Sequence, residues 1–369
     1  MSLAMPYPTL TGNPPLVIAH RGACGDRPEH TLAAYSLAIA QGADFIEPDL
    51  VMTHDGLLVA RHEPAIAIVR AETGEFIEGT TDVANRREFR DRLTTKMVDG
   101  QEITGWFVED FTLGELKTLN ARERLPELRG TWFDHQHLKI PTLAEIIALV
   151  RQTAQETGRK IGIYPETKHP TYFAQQGQFL DGKFINQSLG KVLIETLVTE
   201  NFTNPEQIFI QSFESGNLQE LKHTIMPQAG VEFPLIQLLG INEFGDRPTS
   251  DWHDSNGLTR EKLSEIAAYA KGIGVDKRLI VPVENNRLLQ PSHLITDAHQ
   301  AGLLVHVYTL RNESVFLASD YHGNPEAEWE QFIHLGVDGL FGDFPATGVK
   351  VRNRLSAGMD LSAPASINP

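Results

Sequence analysis

Val17-Ile-Ala-His20-Arg-Gly-Ala23 and, one helix-length later, Phe45-Ile-Glu47-Pro-Asp49-Leu-Val-Met-Thr53 decide how this chain folds. Each stretch opens as a short apolar strand and closes on residues that carry charge or a titratable ring. Parallel barrels place their chemistry at that end of their strands. Glu47 and Asp49 are two apart, so on an extended strand both side chains point to one face, where two carboxylates repel unless a cation lies between them. Hard oxygen ligands select magnesium or calcium before zinc. An isolated Glu-x-Asp is usually a solvated strand end, and the neighbouring His20-Arg21-Gly22 and the later His62 argue against that reading here.

His20 is a proton carrier beside the permanent planar cation of Arg21, whose fork suits phosphate oxygens. Gly22 is expected to let the backbone approach a ligand closely. His62 ends a second strand-like run, Leu57-Leu-Val-Ala-Arg-His62, after the turn signal His54-Asp55-Gly56. A hairpin there swings His62 back over the acidic pair. Two histidines bracketing such a pair suit a general base and a general acid on opposite sides of a scissile bond. Pro48 lacks the N–H that an interior strand needs, which predicts a bulge or one missing ladder bond between Glu47 and Asp49.

Outward from this core, helix-like and strand-like segments alternate as repeated βα units. Helices are expected over Thr31–Gln41, Thr142–Thr157, Gln187–Glu200, Gly216–Ile225, Thr259–Ala270, Pro291–Ala301 and Glu326–Leu335. Further strands are expected over Lys160–Glu166, Gln207–Ser212, Phe233–Leu238, either Gly272–Val275 or Leu279–Val283, Leu303–Leu310 and Gly336–Phe341. With the first two these make eight, and the expected fold is an α/β TIM (β/α)8 barrel. No linker rich in Gly, Ser or Pro divides residues 1–369, so one catalytic domain is expected. Residues 63–138 are too long and too charged for one βα connection and read as a small inserted subdomain after the hairpin, over the mouth of the site. Its cluster Asn85-Arg-Arg-Glu-Phe-Arg-Asp-Arg92 reads as a solvated charged face, and His135-Gln-His137 as an incidental pair with no completing zinc ligands.

The formal net charge of −16 disfavours nucleic-acid binding, and no run approaches the eighteen apolar residues of a membrane span. An acidic protein that takes an anionic substrate has to concentrate positive charge locally. The single cysteine, Cys24, excludes an internal disulfide, and a thiol nucleophile is not expected beside a metal-activated centre. Met1-Ser-Leu-Ala-Met-Pro-Tyr-Pro8 has neither a basic nor an apolar leader region, which implies a cytoplasmic location or a signal already removed.

The ordered motifs His20-Arg-Gly-Ala, Pro28-Glu-His-Thr31, Gly42-Ala-Asp-Phe-Ile-Glu-Pro-Asp-Leu-Val-Met-Thr53, Asp55-Gly56, His62 and Tyr164-Pro-Glu166-Thr-Lys168-His-Pro170 resemble those of the glycerophosphodiester phosphodiesterase family, in particular its longer bacterial periplasmic type. Weaker echoes at Gln211-Ser-Phe213-Glu, Val307-Tyr-Thr-Leu-Arg311 and Gly339-Leu-Phe-Gly-Asp343-Phe-Pro345 extend the resemblance from about Leu16 to Pro345. It implies catalytic roles for His20 and His62, phosphate binding by Arg21 and Lys168, and one divalent cation, calcium before magnesium, on Glu47, Asp49 and Glu166. Glu166 and Lys168 again share one strand face. Glu29 is expected to support the residues that touch the substrate, with equal weight on the plainer reading of an acid placed before the helix that Thr31 opens. Phe213 and Tyr308 are candidates for the alcohol end of the substrate, with core packing an equal explanation, and packing is the better reading for His306. If a signal was removed, the resemblance favours a periplasmic or extracellular location.

The implied reaction is hydrolysis of glycerophosphodiesters, such as glycerophosphocholine and glycerophosphoethanolamine, to glycerol 3-phosphate and an alcohol. One alternative is a related phosphodiesterase acting on lysophospholipid- or sphingomyelin-type lipids, which needs an apolar entrance that the polar insertion does not suggest. Another is a non-catalytic phosphodiester-binding barrel, for which two intact proton carriers are superfluous.

Overall fold

The computed structural model describes residues 7–240 and 258–361, with side chains to residue 357; most of the start read for a leader lies outside the described residues. Eight staves form the central sheet: β1 (Leu16–Ala19), β2 (Phe45–Ile46 and Asp49–Met52), β3 (Gly162–Ile163 and Glu166–Thr167), β4 (Ile210–Ser212), β5 (Leu235–Leu239), β6 (Gly272–Asp276), β7 (Leu304–Leu310) and β8 (Gly339–Gly342). Each pairs in parallel with the next, and β8 pairs with β1 through Val17 and Leu340, so the ring closes. The expected (β/α)8 barrel is the fold.

Side-chain alternation explains the two apolar layers. Ile18, Phe45, Tyr164, Ile236 and Phe341 point inward and fill the barrel, while Val17, Ala19 and Ile46 point outward against helices. Each large side chain so covered contributes roughly 1.5–3 kcal/mol. Tyr164, Phe209 and His306 sit together on the inside, with the Tyr164 hydroxyl 2.7 Å from His306 Nδ1. His306 therefore packs the barrel floor, and burial pushes its pKa down to about 4.

The helices begin where capping residues satisfy their first N–H groups. Thr31 Oγ1 accepts from Ala34 N ahead of Leu32–Ala40, and Thr142 with Glu145 forms a capping box ahead of Leu143–Thr157. Ser188, Thr259 and Asn324 cap Leu189–Thr199, Arg260–Ala267 and Pro325–Leu335. Of the two strand readings near residue 275, Gly272–Asp276 is the strand, and Lys277–Ile280 is a helical turn capped by Asp276. The closing helix Pro345–Leu361 was not expected.

Pro48 interrupts β2 for two residues, and Pro165 interrupts β3 beside it, so each stave is built from two halves in matching register: Ile46 with Ile163, then Asp49 with Glu166. The expected local irregularity is a break of this kind. After β2 the chain doubles back through Leu58–Ala60, antiparallel to Leu50–Met52, which carries His62 toward the barrel mouth.

Between that hairpin and β3, Phe76–Gly79, Ala65–Val69, Gln101–Phe107 and Thr94–Val98 form a four-stranded antiparallel sheet in that spatial order. Its tightest hairpin turns through Asp99 and Gly100, both at positive φ. Arg92 pairs with Glu115 and Arg86 with Asp82, so the basic cluster is tied into ion pairs on this segment.

Candidate functional site

At the C-terminal ends of the staves lies a cavity of about 1060 Å³. His20 follows β1, Glu47 and Asp49 flank the Pro48 break in β2, Glu166 and Lys168 end β3, Phe213 follows β4, and Asp343 follows β8. His62 arrives from the hairpin.

Glu47, Asp49 and Glu166 offer carboxylate oxygens that all lie within 4.8 Å of one another. Burial, Asp49 and Glu166 push the Glu47 carboxyl well above its usual range, and burial with Asp49 pushes Glu166 up to about 8. Asp49 goes the other way: burial is outweighed by Lys168, His30 and His62, which hold it well below the usual range. Among the described residues nothing donates to the buried Asp49 Oδ1, whereas its Oδ2 faces His30 Nε2 at 2.9 Å. Three crowded carboxylates with an unbonded oxygen between them fit a hard divalent cation, which would let all three stay ionised. His135 and His137 belong to no such cluster among the described residues.

Arg21 sits in the left-handed region at φ 56, a conformation that costs a non-glycine residue on the order of 1 kcal/mol and points its N–H at Glu47 Oε2, 2.8 Å away. Its Nη1 donates to Glu29 Oε2 at 2.9 Å and its Nε lies 3.4 Å from Asp49 Oδ2. Glu29 thus holds Arg21, and the helix N-terminus is served by Thr31 instead. Gly22 is at φ +89, and a Cβ there would stand 2.8 Å from Ala34. The close approach this glycine permits is to the first helix. Lys168 Nζ lies 3.0 Å from both Glu166 Oε1 and His62 Nε2, facing the same space as Arg21.

Both histidines have a carboxylate at Nδ1. His20 Nδ1 is 2.7 Å from Asp343 Oδ1, and His62 Nδ1 is 2.5 Å from Glu63 Oε1. That arrangement turns each Nε2 toward the cavity, where His62 Nε2 meets Lys168 Nζ at 3.0 Å. Burial and the adjacent Arg21 outweigh Asp343 and lower His20 to about 4, so the ring is neutral near neutral pH and able to accept a proton. Phe213 and Tyr308 meet edge to face at 6.4 Å on the cavity wall, Lys168 lies 5.7 Å over the Phe213 ring, and the Tyr308 hydroxyl donates to Leu239 O at 2.8 Å.

Several contributors escape a reading of the sequence. His30 bridges Asp49 and Tyr35; Gln211 donates to Glu47 Oε1 at 2.9 Å; Arg124 joins Glu29 to Glu63; Arg129 and Arg311 pair with Asp343. His30, Gln211, Arg311 and Asp343 stand inside the motifs quoted above, which was the available signal. Nothing local marks Arg124 or Arg129. Cys24 is buried with its thiol pushed well above its ordinary pKa, so it is no nucleophile.

The sequence profile of the glycerophosphoryl diester phosphodiesterase family matches residues 20–347. The glycerophosphodiester phosphodiesterase GDPD6 of Arabidopsis thaliana is 37% identical over 341 residues, covering 89% of this chain and 84% of its own. The glycerophosphodiester phosphodiesterase of Haemophilus influenzae is 30% identical over 356 residues, covering 91% and 89%. Among solved structures, an Oleispira antarctica phosphodiesterase in complex with the product sn-glycerol-3-phosphate superposes with a TM-score of 0.55 at 20% identity, over 94% of this chain and 99% of that one. A glycerophosphodiester phosphodiesterase from Agrobacterium tumefaciens gives 0.52 at 20% identity, over 91% and 99%. With the family profile spanning nearly the whole barrel and the relatives aligned along most of their own length, the chain belongs to the glycerophosphoryl diester phosphodiesterase family.

Proposed function

We propose that this protein hydrolyses glycerophosphodiesters to glycerol 3-phosphate and an alcohol, using two histidines as proton carriers and one divalent cation on Glu47, Asp49 and Glu166. The observation that carries this reading is the convergence of His20, His62, Arg21 and Lys168 around the three carboxylates in one cavity. The product bound by the Oleispira antarctica relative is of the expected class.

Arg21 and Lys168 bind the non-bridging phosphate oxygens and offset the charge that builds on them in the transition state. A bound divalent cation supplies further withdrawal of charge from the phosphoryl group. His20, neutral and held by Asp343, takes the proton from the attacking group, either water directly or the neighbouring glycerol hydroxyl, which gives a cyclic phosphate that water then opens to glycerol 3-phosphate. His62, held by Glu63 on the hairpin side, acts in its doubly protonated form, with Lys168 turned from Nε2 to the phosphate, and gives its Nε2 proton to the departing alkoxide. Calcium is the preferred ion and magnesium the alternative, since three carboxylates suit either. Phe213 and Tyr308 wall the alcohol side. Residues 63–138 act as an inserted subdomain over the mouth of a single catalytic domain.

Steady-state assays on glycerophosphocholine, glycerophosphoethanolamine and lysophosphatidylcholine, with identification of both products, test the reading. Release of glycerol 3-phosphate from the first two supports it. Turnover of the lysolipid alone would instead favour the lipid-directed alternative.

A further inference from the structure

Arg129 ends the helical turn Pro126–Arg129 and Arg124 stands two residues before that turn, in the segment between the hairpin and β3. Arg124 reaches two carboxylates with four hydrogen bonds: Nε and Nη2 to Glu29 at 2.8 and 2.7 Å, Nη1 and Nη2 to Glu63 at 2.9 and 2.7 Å. Glu29 is the partner of Arg21, and Glu63 is the partner of His62 Nδ1. Arg129 donates to Asp343 Oδ2 at 2.5 Å, to Glu313 Oε1 at 2.7 Å and to Cys24 O at 3.0 Å. Asp343 is the partner of His20 Nδ1. Both arginine side chains are largely covered, at 21% and 8% exposure, which ties the guanidinium planes to these carboxylates and not to water.

A carboxylate that accepts from Nδ1 fixes which imidazole nitrogen faces the reaction, but only if the carboxylate itself cannot turn. A planar fork that bonds two carboxylates at once sets their positions, and a lysine ammonium on a flexible stem does not. We propose that Arg124-Leu-Pro-Glu-Leu-Arg129 is a positioning clamp by which the inserted segment sets the ring orientation of both histidines, Arg124 acting through Glu63 on His62 and through Glu29 on Arg21, and Arg129 acting through Asp343 on His20. The clamp rests on the acid–base reading given above. It makes the insertion part of the working centre and assigns positioning roles to two arginines that touch no reacting atom.

The test uses the full chain with glycerophosphocholine, comparing Arg124→Lys, Arg124→Ala, Arg129→Lys and Glu63→Gln, with Arg122→Ala as control because, among the described residues, the ion pair of Arg122 is with Asp134 and not with Glu29, Glu63 or Asp343. The lysine variants are expected to fold and to lose about ten- to a hundredfold in kcat, and the control to match wild type. Millimolar guanidinium should restore Arg124→Ala at least about fivefold where sodium chloride does not, and its penalty should shrink in a Glu63→Gln background to the part carried through Glu29. Wild-type kcat in folded lysine variants, no rescue, or an undiminished penalty with Glu63→Gln would overturn the clamp. Histidine side-chain 15N spectra decide the same point without turnover: His20 and His62 protonated at Nδ1 in wild type, with mixed tautomers at His62 in Arg124→Lys and at His20 in Arg129→Lys. Unchanged tautomers in those variants would overturn the clamp, whereas an inactive wild type would overturn the proposed hydrolysis and leave the spectra to decide the clamp.

Discussion

Asp49 and Glu166 are register partners on neighbouring parallel strands, each standing directly after a proline break in its stave. That pairing is why two carboxylates far apart in sequence reach one point, and Glu47, on the other side of the Pro48 break, closes the set.

Because Glu166 is held up at about 8, it carries a proton through much of the neutral range until a cation drives it off. Binding of calcium or magnesium at pH 7 is therefore expected to release protons, seen by calorimetry as a binding heat that changes with the ionisation enthalpy of the buffer. Glu166→Gln should reduce the release, Glu47 still contributing its share, and weaken binding by about a hundredfold or more. A binding heat independent of the buffer would contradict this account of the carboxylates.

The division of labour between the histidines predicts different responses to the leaving group. His20→Ala and His62→Ala are each expected to lose at least about a hundredfold in kcat on glycerophosphocholine. On a 4-nitrophenyl ester, whose phenolate leaves without a proton, His62→Ala should recover most of its loss while His20→Ala stays slow. Preferential recovery of His20→Ala would reverse the roles, and equal impairment on both esters would refute the division.

The barrel floor predicts the acid limb of stability. His306 has a pKa near 4 in the folded protein against an ordinary 6.5, so between those values the unfolded chain binds a proton that the folded chain does not. Stability contributed by keeping His306 neutral is complete above about pH 6.5 and is lost as pH falls toward 4, by up to ~3 kcal/mol for this one ring. His20 titrates in the same direction. Denaturant unfolding of His306→Gln should show a shallower loss over that window, and an identical slope would contradict the assignment.

How much of this was legible follows from where each signal lies. Glu47 and Asp49 could be paired because strand periodicity puts residues two apart on one face, whereas Glu166 and Lys168 were placed by the family resemblance, with their own two-residue spacing in support. The helices expected from Thr31, Thr142 and Thr259 begin on those residues as caps, while Ser188 and Asn324 cap the helices expected from Gln187 and Glu326. The inserted sheet was missed although Asp99-Gly100, flanked by Thr94–Val98 and Gln101–Phe107, is a strong hairpin signal; the charge of the segment obscured it. The carboxylate–arginine contacts could not be read at all. Glu29 and Arg124 are 95 residues apart and Arg129 and Asp343 are 214 apart, and only the closed barrel with its insertion brings them together.

The most direct test of the central claim is release of glycerol 3-phosphate from glycerophosphocholine by the wild-type chain before chelation, in excess chelator, and after calcium or magnesium is restored. The account predicts loss of turnover with chelator, recovery with the ion, and no recovery in Asp49→Asn at the same ion concentration. Undiminished release in excess chelator would contradict it.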